Sequence, residues 1–208
     1  MKLVIPAWPD RDRIPARHAA GRRDPQHTVA FSDDISPALS WSDVPAGARS
    51  LALICHDPDV PSRGDDVNQA GREVPADLPR VDFFHWLLID LPPTLAGLAK
   101  GEGSRGFVSG GKPGPAGPHG GRHGINDFTG WFAGDPERHG DYYGYDGPFP
   151  PFNDALLHRY VFTLYALDVP RLPIEGRFAG ADVRRALQGH VLAEASHSGV
   201  YTLNPRLG

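Results

Sequence analysis

Helix breakers set the strongest limit on what this chain can become: 25 glycines and 22 prolines are spread through 208 residues. Proline removes a backbone donor and clashes with the preceding helical turn, and glycine carries the largest entropy cost of ordering. Long helices are therefore ruled out over most of the length, and the apolar residues gather in short runs bounded by Pro, Gly and Asp. Such runs read as strands, and they fall near residues 28–31, 50–56, 83–91, 159–167 and 200–203. One stretch reads otherwise. Over 181–196, Val183, Ala186, Leu187, His190 and Val191 share a face at helical spacing, with Arg184, Arg185, Gln188 and Glu194 mostly opposite, which predicts a helix. Residues 1–27 show no strand period and read as an irregular arm; 62–80 and 97–140 read as loops. The expected fold class is mainly β: a sandwich with one or two short helices near the C-terminus, in a single domain over 1–208.

Composition removes several functional classes. A formal charge of −4 with 21 Lys and Arg, none arranged in a stripe, argues against a nucleic-acid partner, because phosphate-backbone affinity needs clustered cations. No apolar stretch is long enough to span a bilayer, so no integral membrane association is expected. The N-terminal apolar run is broken by Pro6, Pro9 and Asp10 and lacks a signal-peptide core, from which a cytoplasmic location is expected. The single cysteine, Cys55, sits inside an apolar run and reads as a small core residue.

Three motifs fail on inspection. Residues 106–113, GFVSGGKP, approach a phosphate-binding P-loop, but Pro113 stands where a hydroxyl and a helical N–H are needed. His119 and His123 lie four apart in a Gly-rich segment that reads as a solvated loop, with no third ligand at zinc-site spacing. No G-x-S-x-G elbow occurs. Neither metal nor cofactor is expected. His18, His27, His56, His139, His190 and His197 have no companions that suggest chemistry, and His190 reads as a helix-packing residue.

Four segments carry more information: ISPALSW at 35–41, LALICHDPDVPS at 51–62, FFHWLLIDLPP at 83–93 and YYGYDGPFPPFNDALLHRYVFTLYALD at 142–168. In the last, Pro148, Pro150 and Pro151 stiffen a loop that leads His158 onto an apolar strand, as a pocket rim would. Together, and in this order, the segments resemble the phosphatidylethanolamine-binding protein family, in particular its bacterial, Raf-kinase-inhibitor-like branch. The resemblance covers roughly residues 30–204. It implies a β-sandwich whose residues matching Asp57, His85, Pro151, His158 and Tyr160 line or adjoin a small anion pocket. Departures are visible too. Phe152 to Leu157 replace a Gly-rich linker, which puts the part played by Pro151 in question, and Phe149 stands where relatives often carry Cys and reads as packing. The insertion over 109–124 reads as a lid or a dimer contact, and no counterpart of the eukaryotic C-terminal helix follows Tyr201.

The residues alone single out Asp57, Asp59, His85 and His158, each near a strand end. Imidazoles can donate to an anion and a carboxylate can fix their tautomer. The expected function is a binding protein for a small anion, a phosphoryl or headgroup-like group, on a free ligand or on a phosphorylated protein partner; a homodimer is expected. The alternative is an enzyme using Asp57 and His85 as a general acid–base pair on a small substrate. Anion affinity is expected to rise as pH falls through the ordinary histidine range, near ~6.5. His158→Ala is expected to weaken phosphate binding more than it weakens the fold.

Overall fold

The computed structural model describes residues 1–208. Its strands are β1 (Lys2–Val4), β2 (Gly21–Asp24), β3 (Thr28–Phe31), β4 (Leu39–Ser42), β5 (Ser50–Pro61), β6 (Arg80–Leu91), β7 (Gly97–Leu98), β8 (Arg122–His123), β9 (His158–Leu167) and β10 (Val191–Tyr201). Two α-helices, α1 (Phe128–Trp131) and α2 (Gly180–Leu187), and two short 3-10 turns complete it. A five-stranded sheet in the order β10-β9-β5-β6-β8 packs against a three-stranded sheet, β1-β4-β7, while β2 and β3 form a separate hairpin. All named pairings are antiparallel. The chain is the mainly β sandwich that its breakers imply.

The central strands read as continuous apolar runs because both faces of the large sheet are covered. Leu51, Leu53 and Cys55 on β5 pack with Trp86, Leu88, Phe162 and Leu164 against Leu3, Ile5, Leu39 and Trp41 of the smaller sheet side. The intervening Ala52 and Ile54 join Leu87 and Ile89 against Leu172, Ile174, Phe178, Val183 and Leu187 from the α2 side. A fully buried Leu or Ile stabilises by roughly 1.5–3 kcal/mol, so this double cover is the main source of cohesion.

The structure differs from the sequence reading in three places. The expected helix over 181–196 is only Gly180–Leu187. It starts with Asp182 accepting the Ala179 N–H at 3.0 Å and stops before Gly189, whose φ of +81° turns the chain. Val191 then enters β10, which pairs with β9 along its length, so tertiary pairing overrides the helix propensity of its Ala and Glu residues. His190 lies past the helix and bonds Asp168 at 2.9 Å rather than packing on a helix face. The first 27 residues are not irregular throughout: β1 joins the smaller sheet, and β2 pairs with β3. The 109–124 segment folds back onto the large sheet, with β8 pairing β6 at Leu88 and Ile89. His123 is buried there rather than solvated, and burial lowers it to about 4.

Candidate functional site

Antiparallel pairing brings the C-terminal end of β5 beside the N-terminal ends of β6 and β9, with His56 opposite both Phe84 and Val161. Two bulges then decide which side chains look inward. Cys55 and His56 on β5 oppose Trp86 and Phe84 on β6, so His85 is the extra residue and turns to the face of Trp86. Asp57 and Val60 oppose Phe83 and Val81, so the bulge on β5 separates Asp57 from Asp59. Asp57, His85, Pro151, His158 and Tyr160 all line one cavity of about 570 Å³ at this end of the sheet. Asp59 does not. Its carboxylate faces Arg159, accepting from Nε at 2.8 Å, from Nη2 at 2.7 Å and from the backbone N–H at 2.9 Å.

His158 sits between two carboxylates. Nδ1 lies 2.7 Å from Asp57 Oδ2 and Nε2 lies 3.1 Å from Asp154 Oδ2, so both nitrogens carry hydrogen and the ring is an imidazolium. Burial works against that charge, but the bonds to Asp154 and Asp57 outweigh it and lift the group to about 9. Asp154 is in turn clasped by Arg80, through Nη1 at 2.6 Å and Nη2 at 3.0 Å. The row Asp57, His158, Asp154, Arg80 therefore alternates in sign, and Arg80 ends it by donating to the Asp59 and Pro75 carbonyls at 2.9 and 2.7 Å.

His85 is the opposite case. Its Nδ1–H donates to the Asp146 carbonyl at 2.7 Å, leaving Nε2 as a lone-pair acceptor. Burial lowers the group to about 4 despite the nearby Asp57 charge, so the ring is neutral at ordinary pH. Tyr160, Phe128 and Phe83 flank it at centroid distances of 5.1, 5.7 and 5.0 Å. Behind it, buried Lys112 lies 2.8 Å from Asp146 Oδ1, and Asn126 donates to Asp146 Oδ2 at 2.6 Å. Asp34 accepts the Gly147 N–H at 2.7 Å, and burial together with the Asp146 charge pushes its carboxyl well above the usual range. These bonds hold residues 144–147, and with them the carbonyl that orients His85.

The walls are aromatic: Phe31, Phe83, Phe128, Trp131, Phe132 and Phe149 line the cavity, with Phe31 and Trp131 standing 42% and 53% exposed at its mouth. Phe149, read from sequence as packing, also takes part in the lining. Two cations, Arg63 and Arg138, reach the rim; Arg138 bonds Asp135 at 2.6 Å, and Arg63 lies 3.7 Å from Asp65. The rim loop after β5 is tied down by Asn153, whose Nδ2 donates to the carbonyls of Asp66, Gln69 and Arg72 at 2.7, 3.2 and 3.2 Å. None of residues 109–124 lines the cavity.

Sequence reasoning missed Asp154, Asn153, Asp146, Arg63, Arg138 and the aromatic walls. Asp154 offered a signal, a carboxylate four residues before His158, but in a loop that spacing has no fixed geometry. Phe31 and Phe83 lie in runs read as strands, where an aromatic side chain reads as core; the others lie in segments with no periodicity to read.

A family model described as phosphatidylethanolamine-binding protein matches residues 5–202 of the chain. The UPF0098 protein of Methanothermobacter thermautotrophicus is 35% identical over 201 residues, covering 97% of this chain and 98% of that protein. The UPF0098 protein YbhB of Escherichia coli is 31% identical, with 97% and 100% covered. Among solved structures, a phosphatidylethanolamine-binding protein homologue of Chlamydia trachomatis aligns with a TM-score of 0.61 at 29% identity, covering 96% of this chain and 95% of that one. Escherichia coli YbcL aligns with a TM-score of 0.66, covering 97% of each chain; at 23% identity that likeness shows the fold alone.

Proposed function

The chain belongs to the phosphatidylethanolamine-binding protein family, and on that premise we propose that it is a binding protein for a small phosphoryl-bearing ligand, taken up in the cavity at the end of β5, β6 and β9. The observation that carries the reading is the convergence of Asp57, His85, Pro151, His158 and Tyr160 on one cavity of about 570 Å³. Its polar groups are few and placed together, while its walls are apolar, the usual make-up of a small-molecule site. Arg63 and Arg138 at the rim favour an anionic approach. A phosphorylated side chain of a partner protein would present the same group, and such a partner is the regulatory form of this reading.

The enzyme alternative has less support. Asp57 already accepts from the Asp59 N–H at 2.8 Å and from His158, and the only cysteine is buried in the sheet away from the cavity lining. Isothermal titration of the purified protein with inorganic phosphate and phenyl phosphate tests the proposal. One-to-one binding supports it, and absence of binding removes it. Release of phosphate from phenyl phosphate, lost in His85→Ala, would replace it with the enzyme.

A further inference from the structure

A phosphoryl-binding site is ordinarily rich in N–H donors, and the base of this cavity is not. Both ring N–H groups of His158 are spent on Asp57 and Asp154. His85 spends its one N–H on the Asp146 carbonyl and turns an acceptor nitrogen to the remaining space. Asp57 is a carboxylate with two buried contacts and further lone pairs. Pro150 and Pro151 line the same wall and have no N–H. The Tyr160 hydroxyl stays protonated through burial and lies against the Asp57 charge. A fully ionised oxyanion placed here would meet a carboxylate and an imidazole lone pair, and it would be repelled.

Resting on the reading above, we infer that the cavity selects a ligand that brings its own acidic hydrogen: a phosphomonoester with an apolar substituent, in preference to sulfate esters and phosphodiesters of the same shape. The P–OH of a singly ionised monoester donates to His85 Nε2, the acceptor left without a partner beside Asp57, and the aromatic walls take the substituent. Phosphomonoesters hold that hydrogen up to their second ionisation, near ~6. A sulfate ester has lost it, and a diester never had it. The rim cations Arg63 and Arg138 attract the singly charged forms of all three alike, so among those forms the discrimination belongs to the base.

The test is a ligand panel on the unaltered protein at pH 6: phenyl phosphate, phenyl sulfate and methyl phenyl phosphate, followed by isothermal titration. Phenyl phosphate should bind on the order of 10- to 100-fold more tightly than the other two, the worth of one hydrogen bond to a charged group. At pH 7, titration in two buffers of different ionisation enthalpy should show uptake of about one proton per phenyl phosphate bound, since that ligand arrives mostly doubly ionised. Equal affinity for phenyl phosphate and phenyl sulfate, without proton uptake, would overturn the inference while leaving phosphoryl binding in place, on the rim arginines. No binding by any of the three would remove both.

Discussion

His158 Nδ1 and Asp57 Oδ2 meet at 2.7 Å with their side chains 0% and 2% exposed, which makes this contact a buried ion pair in the wall of the cavity. The arrangement changes what His158 is for. With Asp154 on its other nitrogen it has no hydrogen left to give a ligand, and its part is to hold two carboxylates together at the end of the sheet.

Truncating it should therefore damage the fold. His158→Ala leaves Asp57 and Asp154 buried without their shared cation, and removing one partner of a buried pair costs about 3–5 kcal/mol. Denaturant unfolding of the variant should show a loss of that size, in contrast to the small effect expected from sequence. A loss below about 1 kcal/mol, the range of an exposed pair, would contradict the clamp.

Stability should peak near neutral to slightly acid pH. His158, raised to about 9, contributes fully below its unfolded value of ~6.5 and loses that contribution as pH rises through about 9. His85 and His123, lowered to about 4, act in the other direction: stability is intact above ~6.5 and falls as pH drops through about 4. Each difference corresponds to roughly 3 kcal/mol. Urea midpoints measured from pH 4 to pH 9 should form a dome, and the alkaline fall should be missing in a variant that lacks His158.

Phosphomonoester affinity should rise as pH falls from 7 to 5, following the ligand's ionisation near ~6. His158 is already charged over this range and His85 stays neutral until about 4, so neither supplies the gain near ~6.5 that an unperturbed histidine would. Dissociation constants for phenyl phosphate across this range provide the check; affinity independent of pH would place the ligand away from Asp57.

The rim loop should loosen when Asn153 is removed. Asn153→Ala gives up the bonds to Asp66, Gln69, Arg72 and Asn68, at a cost of about 1–3 kcal/mol for the groups left unpaired. Hydrogen exchange should quicken over residues 62–74 and remain unchanged in β9. Unchanged exchange in the loop would show that other contacts hold it.

Much of the sandwich was legible, because strands buried on both faces announce themselves: Leu51 to Cys55 and Phe162 to Leu167 admit little else. β10 was not, since Val191 to Ser196 carries helix-favouring residues whose strand form depends on pairing with β9. At the site, Asp57, His85 and His158 stood out through their motifs, and the structure brings all three to one cavity. Their protonation could not be read. It depends on burial and on partners such as Asp154 and the Asp146 carbonyl, which lie in loops, and on two bulges that turn His85 inward and Asp59 away.

The most direct test of the account is an NMR titration of the wild-type protein with phenyl phosphate at pH 6, set beside His85→Ala. The account predicts shifts confined to the residues around Asp57, His85, Tyr160 and Pro151, with affinity at least about tenfold weaker in the variant, the scale of one charge-assisted bond. Shifts gathered elsewhere on the surface, or equal affinity in the two proteins, would contradict it.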